Sequence, residues 1–222
     1  MISVLVIGGG PAGMMASIAA AEAGASVTLL ERNPYPGKKL RITGKGRCNV
    51  TNNCSPREVV EAVTVNPKFL YGAVNRFSPS DVMAFFENAG VPLKTERGRR
   101  VFPRSDKAAD IQAALLKKLR GAGVRLLCDT RVLSLEPPQP DPADEPGEPG
   151  ETMETGEPGE TRETGRSGGG RWTASAERNG IRQTFAADRV ILCTGGVSYP
   201  LTGSDGDGHR MLAKLGVRVT EL

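Results

Sequence analysis

Three glycines near the N-terminus have the spacing of a diphosphate-binding turn. Gly8, Gly10 and Gly13 follow the apolar residues 4–7 and precede the alanine-rich stretch 14–23. A G-x-G-x-x-G pattern between a buried strand and a helix is typical of dinucleotide binding. The first glycine allows a tight turn, the second lets the backbone approach the phosphates, and the third lets strand and helix pack closely. Since the first N–H groups of the helix then face the anion, the predicted chemistry is binding of a nucleotide diphosphate.

A single acidic residue ends the next predicted strand. Residues 25–30 have a strand-like composition and are followed by Glu31. A carboxylate about 20 residues after the glycines accepts hydrogen bonds from ribose hydroxyls; the alternative is a solvated glutamate at a strand end. Because a carboxylate repels a 2′-phosphate, the expected nucleotide is an unphosphorylated adenosine diphosphate, as in FAD or NAD.

The charge of the chain is unevenly distributed. The net charge is +4 over 222 residues, but residues 136–170 hold ten acidic residues and two arginines, so the remainder carries +12. A basic body suits an anionic cofactor and a small-molecule substrate. The sequence shows no combined aromatic and basic pattern of the kind that nucleic-acid-binding proteins use, and no nucleic-acid partner is predicted.

The cysteines and the histidine do not indicate a metal site. Cys48, Cys54, Cys128 and Cys193 lack C-x-x-C or metal-ligand spacing, and His209 is the only histidine. No apolar run approaches the length of about 18 residues that a membrane span needs. We therefore expect no metal, no membrane association, and a cytoplasmic protein with reduced thiols. The sequence leaves the oligomeric state open.

The elements that must position these residues alternate as in an α/β fold. A polar loop rich in glycine and basic residues occupies 32–54, and loops of this length tend to be functional. Asp207 is predicted to cap the last helix. The patterns predict helical segments at 56–89, a hairpin at 93–102, a helix at 103–121, strands at 124–127 and 130–135, a hairpin at 172–186, a strand at 188–193 and a helix at 209–215.

Residues 136–170 differ in kind from the rest of the chain. A glutamate recurs at every third position from Glu145 to Glu163, and the nine residues at 148–156 are nearly repeated at 157–165. With almost no apolar side chains, this segment cannot bury enough surface to offset the cost of ordering. We predict a disordered acidic insertion that divides a cofactor-binding domain into residues 1–135 and 171–222.

Five motifs together resemble one known family. The bacterial NAD(P)/FAD-dependent oxidoreductases of the aminoacetone oxidase family show a similar set in the same order, and the second and the last two motifs are the specific ones. The motifs are GGGPAG at 8–13, TGKGRCNVTN at 43–52, RRVFP at 99–103, TGGVSYP at 194–200 and TGSDGDG at 202–208.

The resemblance implies a Rossmann-like α/β domain that binds FAD in extended form. This domain has a parallel sheet with helices on both faces and an antiparallel β-meander. The family continues with a substrate domain and a final flavin-covering segment, and we expect both to be absent here. The cofactor-binding residues implied are Gly8, Gly10, Pro11, Ala12, Gly13, Glu31, Arg32, Lys39, Gly46, Arg47, Cys48, Asn49, Val132, Thr194, Gly195 and Gly196.

The resemblance also implies an activity, with no catalytic residue identified. The leading hypothesis is hydride transfer between NAD(P)H or an organic substrate and FAD. The alternatives are a nucleotide-binding remnant without catalysis and a flavin-dependent RNA-modifying enzyme.

Overall fold

The computed structural model describes residues 1–139 and 170–220. Apart from its two ends, the insertion predicted at 136–170 lies outside the described residues. Within those ranges, no helix combines the length and the apolar character that crossing a membrane requires.

The described residues form ten strands and six helices. The strands are β1 (Ser3–Ile7), β2 (Ser26–Leu30), β3 (Thr51–Asn52), β4 (Leu93–Thr95), β5 (Arg100–Pro103), β6 (Arg125–Leu127), β7 (Thr130–Glu136), β8 (Trp172–Arg178), β9 (Ile181–Ala187) and β10 (Arg189–Leu192). The helices are α1 (Pro11–Glu22), α2 (Pro56–Glu61), α3 (Tyr71–Arg76), α4 (Pro79–Asn88), α5 (Ala108–Gly121) and α6 (Asp207–Lys214). Short 3₁₀ turns lie at Leu40–Gly46, Pro67–Leu70, Arg97–Arg99 and Pro200–Thr202.

The central sheet is parallel, with strand order β10-β1-β2-β6. In the register, Val6 of β1 lies beside Leu29 of β2 on one side and Ile191 of β10 on the other. The carboxyl ends of these strands therefore meet at one edge, which is where ligands bind in open parallel sheets. The predicted α/β Rossmann-type fold is confirmed.

Alternating residues of the central strands enter two different cores. Val6 and Leu29 pack with Met14 of α1 and Leu115 of α5 on one face. Leu5, Ile7 and Leu30 face a second core formed with the meander β7-β8-β9 and with Met211 of α6. Because a strand side chain changes face at every residue, one short strand supports both layers. The second face is thus covered by the meander and α6 together.

The helical region after the basic loop is held by two capping boxes. The Ser55 hydroxyl accepts the Glu58 N–H at the start of α2, and the Ser78 hydroxyl accepts the Asp81 N–H at the start of α4. In each case the acidic side chain accepts the N–H of its serine in return, which satisfies donors that a helix start leaves free. The helical prediction for 56–89 is confirmed as α2, a 3₁₀ turn, α3 and α4.

Two helix starts differ from the sequence prediction. Pro103 pairs with Leu93 in the predicted hairpin, so α5 begins at Ala108 instead of at Pro103. The predicted capping role of Asp207 is wrong: the N-cap of α6 is Gly206, which has no side chain, and the Asp205 carboxylate accepts the Asp207 N–H at 3.3 Å. Asp207 is already helical, and its carboxylate is engaged by arginines instead.

Candidate functional site

A cavity of about 290 Å³ lies where β1, β2 and β10 end and α1 begins. Its walls contain the predicted Gly8, Gly10, Pro11 and Ala12 together with Thr194 and Gly195. The side formed by β2 and β7 adds Glu31, Arg32, Asn33, Thr130, Arg131 and Val132. The structure thus brings together residues from four separate parts of the chain at the carboxyl edge of the sheet.

The three glycines of the turn each meet a different steric requirement. Gly8 has φ +105°, and a Cβ there would lie 2.5 Å from the Cys193 carbonyl oxygen. A Cβ on Gly13 would lie 1.8 Å from the Gly8 carbonyl oxygen, so only glycine allows this approach of helix to turn. At Gly10, by contrast, a Cβ would meet no protein atom within 4 Å. The turn therefore leaves open space at Gly10, where a diphosphate would approach the start of α1.

Glu31 is a buried carboxylate that organises this turn. The residue is only 5% exposed. One oxygen accepts the Gly9 N–H at 2.7 Å, and the other accepts the backbone N–H of Asn33 at 2.7 Å and its side-chain amide at 2.6 Å. An ionised carboxylate offers about four acceptor positions, so Glu31 keeps capacity to accept a ribose hydroxyl from the cavity.

The returning strand β10 closes the cavity from the other side. The Cys193 N–H donates to the Ile7 carbonyl oxygen at 2.7 Å and continues the pairing beyond β10. Thr194 and Gly195 then enter the cavity wall, while Gly196 lies just beyond it. A Cβ on Gly208 of α6 would lie 2.1 Å from the Thr194 hydroxyl oxygen, so α6 packs directly on this turn.

A second cavity, of about 360 Å³, adjoins the first. Both cavities are lined by Pro11, Ala12 and Lys39, which makes them neighbours around the start of α1. The second cavity is largely apolar. Its apolar side chains include Met15, Leu40, Phe77, Phe85, Phe86 and Leu115, and its polar rim holds Thr43, Cys48 and Asn49.

The segment leading to this rim has an uncommon backbone. Gly44, Lys45, Gly46 and Cys48 all have positive φ, between +56° and +85°. Non-glycine residues in this region carry a conformational cost and tend to cluster at functional sites. Cys48 is 5% exposed, and burial raises the pKa of its thiol, with a smaller opposing effect from the Thr43 side chain. The thiol is therefore neutral near pH 7.

Arg47 is engaged by protein groups beside the second cavity. Its guanidinium donates to Glu96 at 2.5 Å and to Asp106 at 2.8 Å, and it stacks over the Phe102 ring at 4.1 Å. Hydrogen bonds from Arg47 and Lys94 hold the pKa of the Glu96 carboxyl below its usual range. The predicted cofactor-binding residues Gly46 and Arg47 are not among the side chains that line either cavity. The contacts of Arg47 show that it anchors the segment that leads to the polar rim of the second cavity.

Asp207 is a residue that the sequence placed in the wrong role. Its carboxylate lines the first cavity and accepts hydrogen bonds from Arg32 at 3.2 Å, from Arg131 at 3.0 Å and from Arg210. Asp205 pairs with Arg32 at 2.7 Å. The TGSDGDG motif carries both aspartates, but it gives no local indication of partners so far away along the chain. Among residues 1–139 and 170–220, no cluster of histidine, cysteine, aspartate or glutamate has the arrangement of a metal site.

Comparison with known families gives the class of the protein. Residues 2–141 match the HI0933-like protein Rossmann domain, and this match spans more than half of the chain. The protein belongs to this family of Rossmann-domain proteins.

Two curated relatives align with nearly the whole chain. The 3-dehydro-bile acid delta(4,6)-reductase of Clostridium scindens is 31% identical over 216 residues, which cover 95% of this chain and 43% of that protein. The ribosomal RNA dihydrouridine synthase of Escherichia coli is 26% identical over 215 residues, covering 97% and 44%. The chain spans less than half the length of these relatives.

Solved structures share the fold at low sequence identity. The 3-ketosteroid-delta4-(5alpha)-dehydrogenase of Rhodococcus jostii superposes with a TM-score of 0.67 at 18% identity, covering 97% of this chain and 54% of that one. Sdh1 of Mycobacterium smegmatis gives 0.60 at 19% identity, covering 96% and 38%. These likenesses show that the arrangement of elements is shared.

Proposed function

We propose that this chain forms the FAD-binding part of an FAD-dependent oxidoreductase. The observation that carries the proposal is the joining of two unlike cavities at Pro11, Ala12 and Lys39. The first is built from a diphosphate turn and a buried carboxylate, and the second is apolar. A polar site continuous with an apolar one suits a dinucleotide whose second half is a large, flat ring system.

The residues present fit the adenylate half of FAD. The open space at Gly10 and the start of α1 would hold the diphosphate, and Glu31 would accept the ribose hydroxyls. Val132 sits 5% exposed at a bulge of β7, where its backbone would meet the adenine. Thr194 and Gly195 would close the cavity over the middle of the cofactor.

The second cavity would receive the ring half. Lys39, Cys48 and Asn49 would line the ribityl and ring region, and the phenylalanines would exclude water from it. When bound, FAD supplies hydride transfer between a donor such as NAD(P)H and an acceptor. The neutral Cys48 thiol would offer a packing surface beside the ring, since the thiolate is the reactive form of cysteine. Membership of the aminoacetone oxidase group is the finer form of this proposal.

Cofactor binding is directly measurable. We expect the purified chain, or the chain mixed with FAD, to show flavin absorbance that remains after gel filtration, and to bleach anaerobically with NADH or NADPH. Gly10→Ala should lower FAD affinity while the protein stays folded. A folded protein that neither retains FAD nor gives a binding isotherm with it would overturn the proposal.

A second candidate function, RNA modification, is favoured by two pairs of a cation and an exposed aromatic ring. The Lys39 ammonium lies 5.8 Å from the Tyr199 ring, and the Arg41 guanidinium lies 5.7 Å from the Tyr35 ring. Both tyrosines are exposed, at 68% and 40%. Exposed rings beside cations are the groups that bind single-stranded nucleic acid, and one relative is an rRNA dihydrouridine synthase by name.

The two candidates differ in their response to RNA. If the second holds, a fluorescent single-stranded RNA should bind with an affinity that falls steeply with salt. The Tyr35→Leu and Tyr199→Leu variants should weaken this binding, whereas Tyr71→Leu, at an exposed tyrosine elsewhere, should not. Equal, weak binding by all these proteins would leave oxidoreduction of a small molecule as the proposed activity.

A further inference from the structure

Two arginines line the adenosine side of the first cavity. Arg32 directly follows Glu31 at the end of β2, and Arg131 lies on β7 beside Val132. In related nucleotide-binding folds, an arginine near the ribose carboxylate is the group that accepts a 2′-phosphate. By position alone, therefore, this cavity has the cations that a 2′-phosphorylated nucleotide would need.

Both arginines are already paired with aspartates of the TGSDGDG motif. Arg32 donates to Asp205 at 2.7 Å and to Asp207 at 3.2 Å. Arg131 donates to Asp207 through two nitrogens, at 3.1 Å and 3.0 Å. The Asp207 side chain is only 17% exposed and also pairs with Arg210 on its own helix.

The backbone holds these aspartates in place. Gly206 has φ +83°, and the close contact of Gly208 with Thr194 fixes the start of α6 against the end of β10. Gly203 has φ +103°, and a Cβ there would lie 2.9 Å from the Asn33 side-chain nitrogen. The carboxylates are therefore anchored by packing, unlike those of a mobile surface ion pair, whose contribution is small.

We infer that Asp205 and Asp207 are specificity-determining residues that neutralise Arg32 and Arg131 and so make the site select a free ribose 2′-hydroxyl. The inference rests on the proposed function, since it assumes that the adenylate half of a dinucleotide occupies this cavity. Both arginines therefore face carboxylates of this chain, while Lys38 and Lys39 also line the cavity. A 2′-phosphate must then displace a carboxylate from each guanidinium before either one can bind it.

The test compares two ligands that differ only in the 2′-phosphate, ADP-ribose and 2′-phospho-ADP-ribose, by calorimetry on the full chain. We expect the unmodified protein to prefer ADP-ribose by about tenfold or more, the scale of one charge-assisted hydrogen bond. The Asp205→Asn/Asp207→Asn variant should bind 2′-phospho-ADP-ribose about tenfold more tightly than the unmodified protein does. Adding Arg131→Gln to that variant should reduce the gain, and adding Arg32→Gln as well should abolish it.

The controls separate specificity from folding. Arg210→Gln removes a partner of Asp207 that does not line the first cavity, and we expect it to leave the preference unchanged. If the double variant loses its circular dichroism signal, the single Asp205→Asn variant is used. It removes the shorter of the two carboxylate contacts of Arg32 and should give a smaller gain of the same sign.

The outcomes distinguish the inference from the proposed function. A folded variant that binds both ligands equally weakly, or that shows no gain for the phosphorylated ligand, overturns the inference, while ADP-ribose binding by the unmodified protein leaves the proposed function intact. If the unmodified protein binds neither ligand nor FAD, the proposed function fails, and the inference fails with it.

Discussion

The Glu31 carboxylate accepts the Gly9 N–H at 2.7 Å across the base of the glycine turn. The contact joins the loop after β1 to the end of β2, and the same side chain also holds the Asn33 backbone. A Cβ on Gly9 would lie 2.8 Å from the same carboxylate oxygen, so the glycine permits the contact. One residue therefore shapes the turn and faces the cavity.

Replacement of Glu31 by glutamine should weaken both stability and nucleotide binding. The glutamine amide would place an N–H donor against the backbone N–H of Gly9 or Asn33, which the carboxylate now accepts. A buried donor without an acceptor costs about 1–3 kcal/mol. Urea denaturation would measure the stability, and calorimetry with ADP would measure the affinity. Glu22→Gln, on the exposed end of α1, is the matched control; equal behaviour of the two variants would contradict a special role for Glu31.

Alanine substitutions at Gly10 and Gly13 should affect different properties, namely ADP affinity at Gly10 and stability at Gly13. Gly13→Ala drives a methyl group against the Gly8 carbonyl and should lower the free energy of unfolding by about 3 kcal/mol. Gly10→Ala meets no protein atom, so stability should change by less than about 0.5 kcal/mol while ADP affinity falls. Thermal melts and calorimetry on both variants decide this. A Gly10→Ala protein with unchanged affinity would show that the phosphates do not approach this position.

Cys48 should react with thiol reagents far more slowly than Cys54. Burial both hides the Cys48 thiol and raises its pKa, which keeps the thiolate scarce at pH 7 to 8. Cys54 is partly exposed in the polar loop. Timed iodoacetamide labelling with mass spectrometry would compare the two sites in one sample. Labelling at matching rates would show that the second cavity opens to solvent, contrary to the structure.

The Arg47 cluster should make part of the stability pH-dependent. In the folded state, hydrogen bonds from Arg47 and Lys94 lower the pKa of the Glu96 carboxyl. The same two residues lower the pKa of Asp106, and there Lys94 has the larger effect. A carboxyl with a lowered pKa stabilises the fold above its ordinary value near 4 and loses that contribution as pH falls through the folded value. Glu96→Gln should thus lower the melting temperature at pH 7, and this deficit should shrink as the pH falls below the ordinary value. Glu87→Gln, on α4 outside the cluster, is the control, and a deficit that persists in acid would point to a packing defect.

Much of the fold was predictable because its causes are local. The hairpin between β8 and β9 follows from Asn179 and Gly180, whose positive φ values suit a tight turn. The start of α4 follows from the Ser78 and Asp81 pair. The spacing of Gly8, Gly10 and Gly13 was likewise enough to predict the glycine turn.

The pairing of Lys39 with Tyr199, by contrast, depends on tertiary structure. Lys39 and Tyr199 lie 160 positions apart in the sequence, and only the return of β10 beside β1 brings their loops together. No window of sequence contains both, so this pair could not be predicted before folding, whereas Tyr35 and Arg41 lie only six positions apart.

The sequence by itself determined the parallel-sheet class, the glycine turn and the carboxylate at the end of β2, because residues close together along the chain specify each of these. Only the tertiary structure decided the role of Asp207, whose partners Arg32 and Arg131 are 175 and 76 positions away. A short polar side chain beside glycines reads as a helix cap in isolation, since the local backbone carries no information about distant cations. Its partners are set by how the strands stack, and that depends on the whole core.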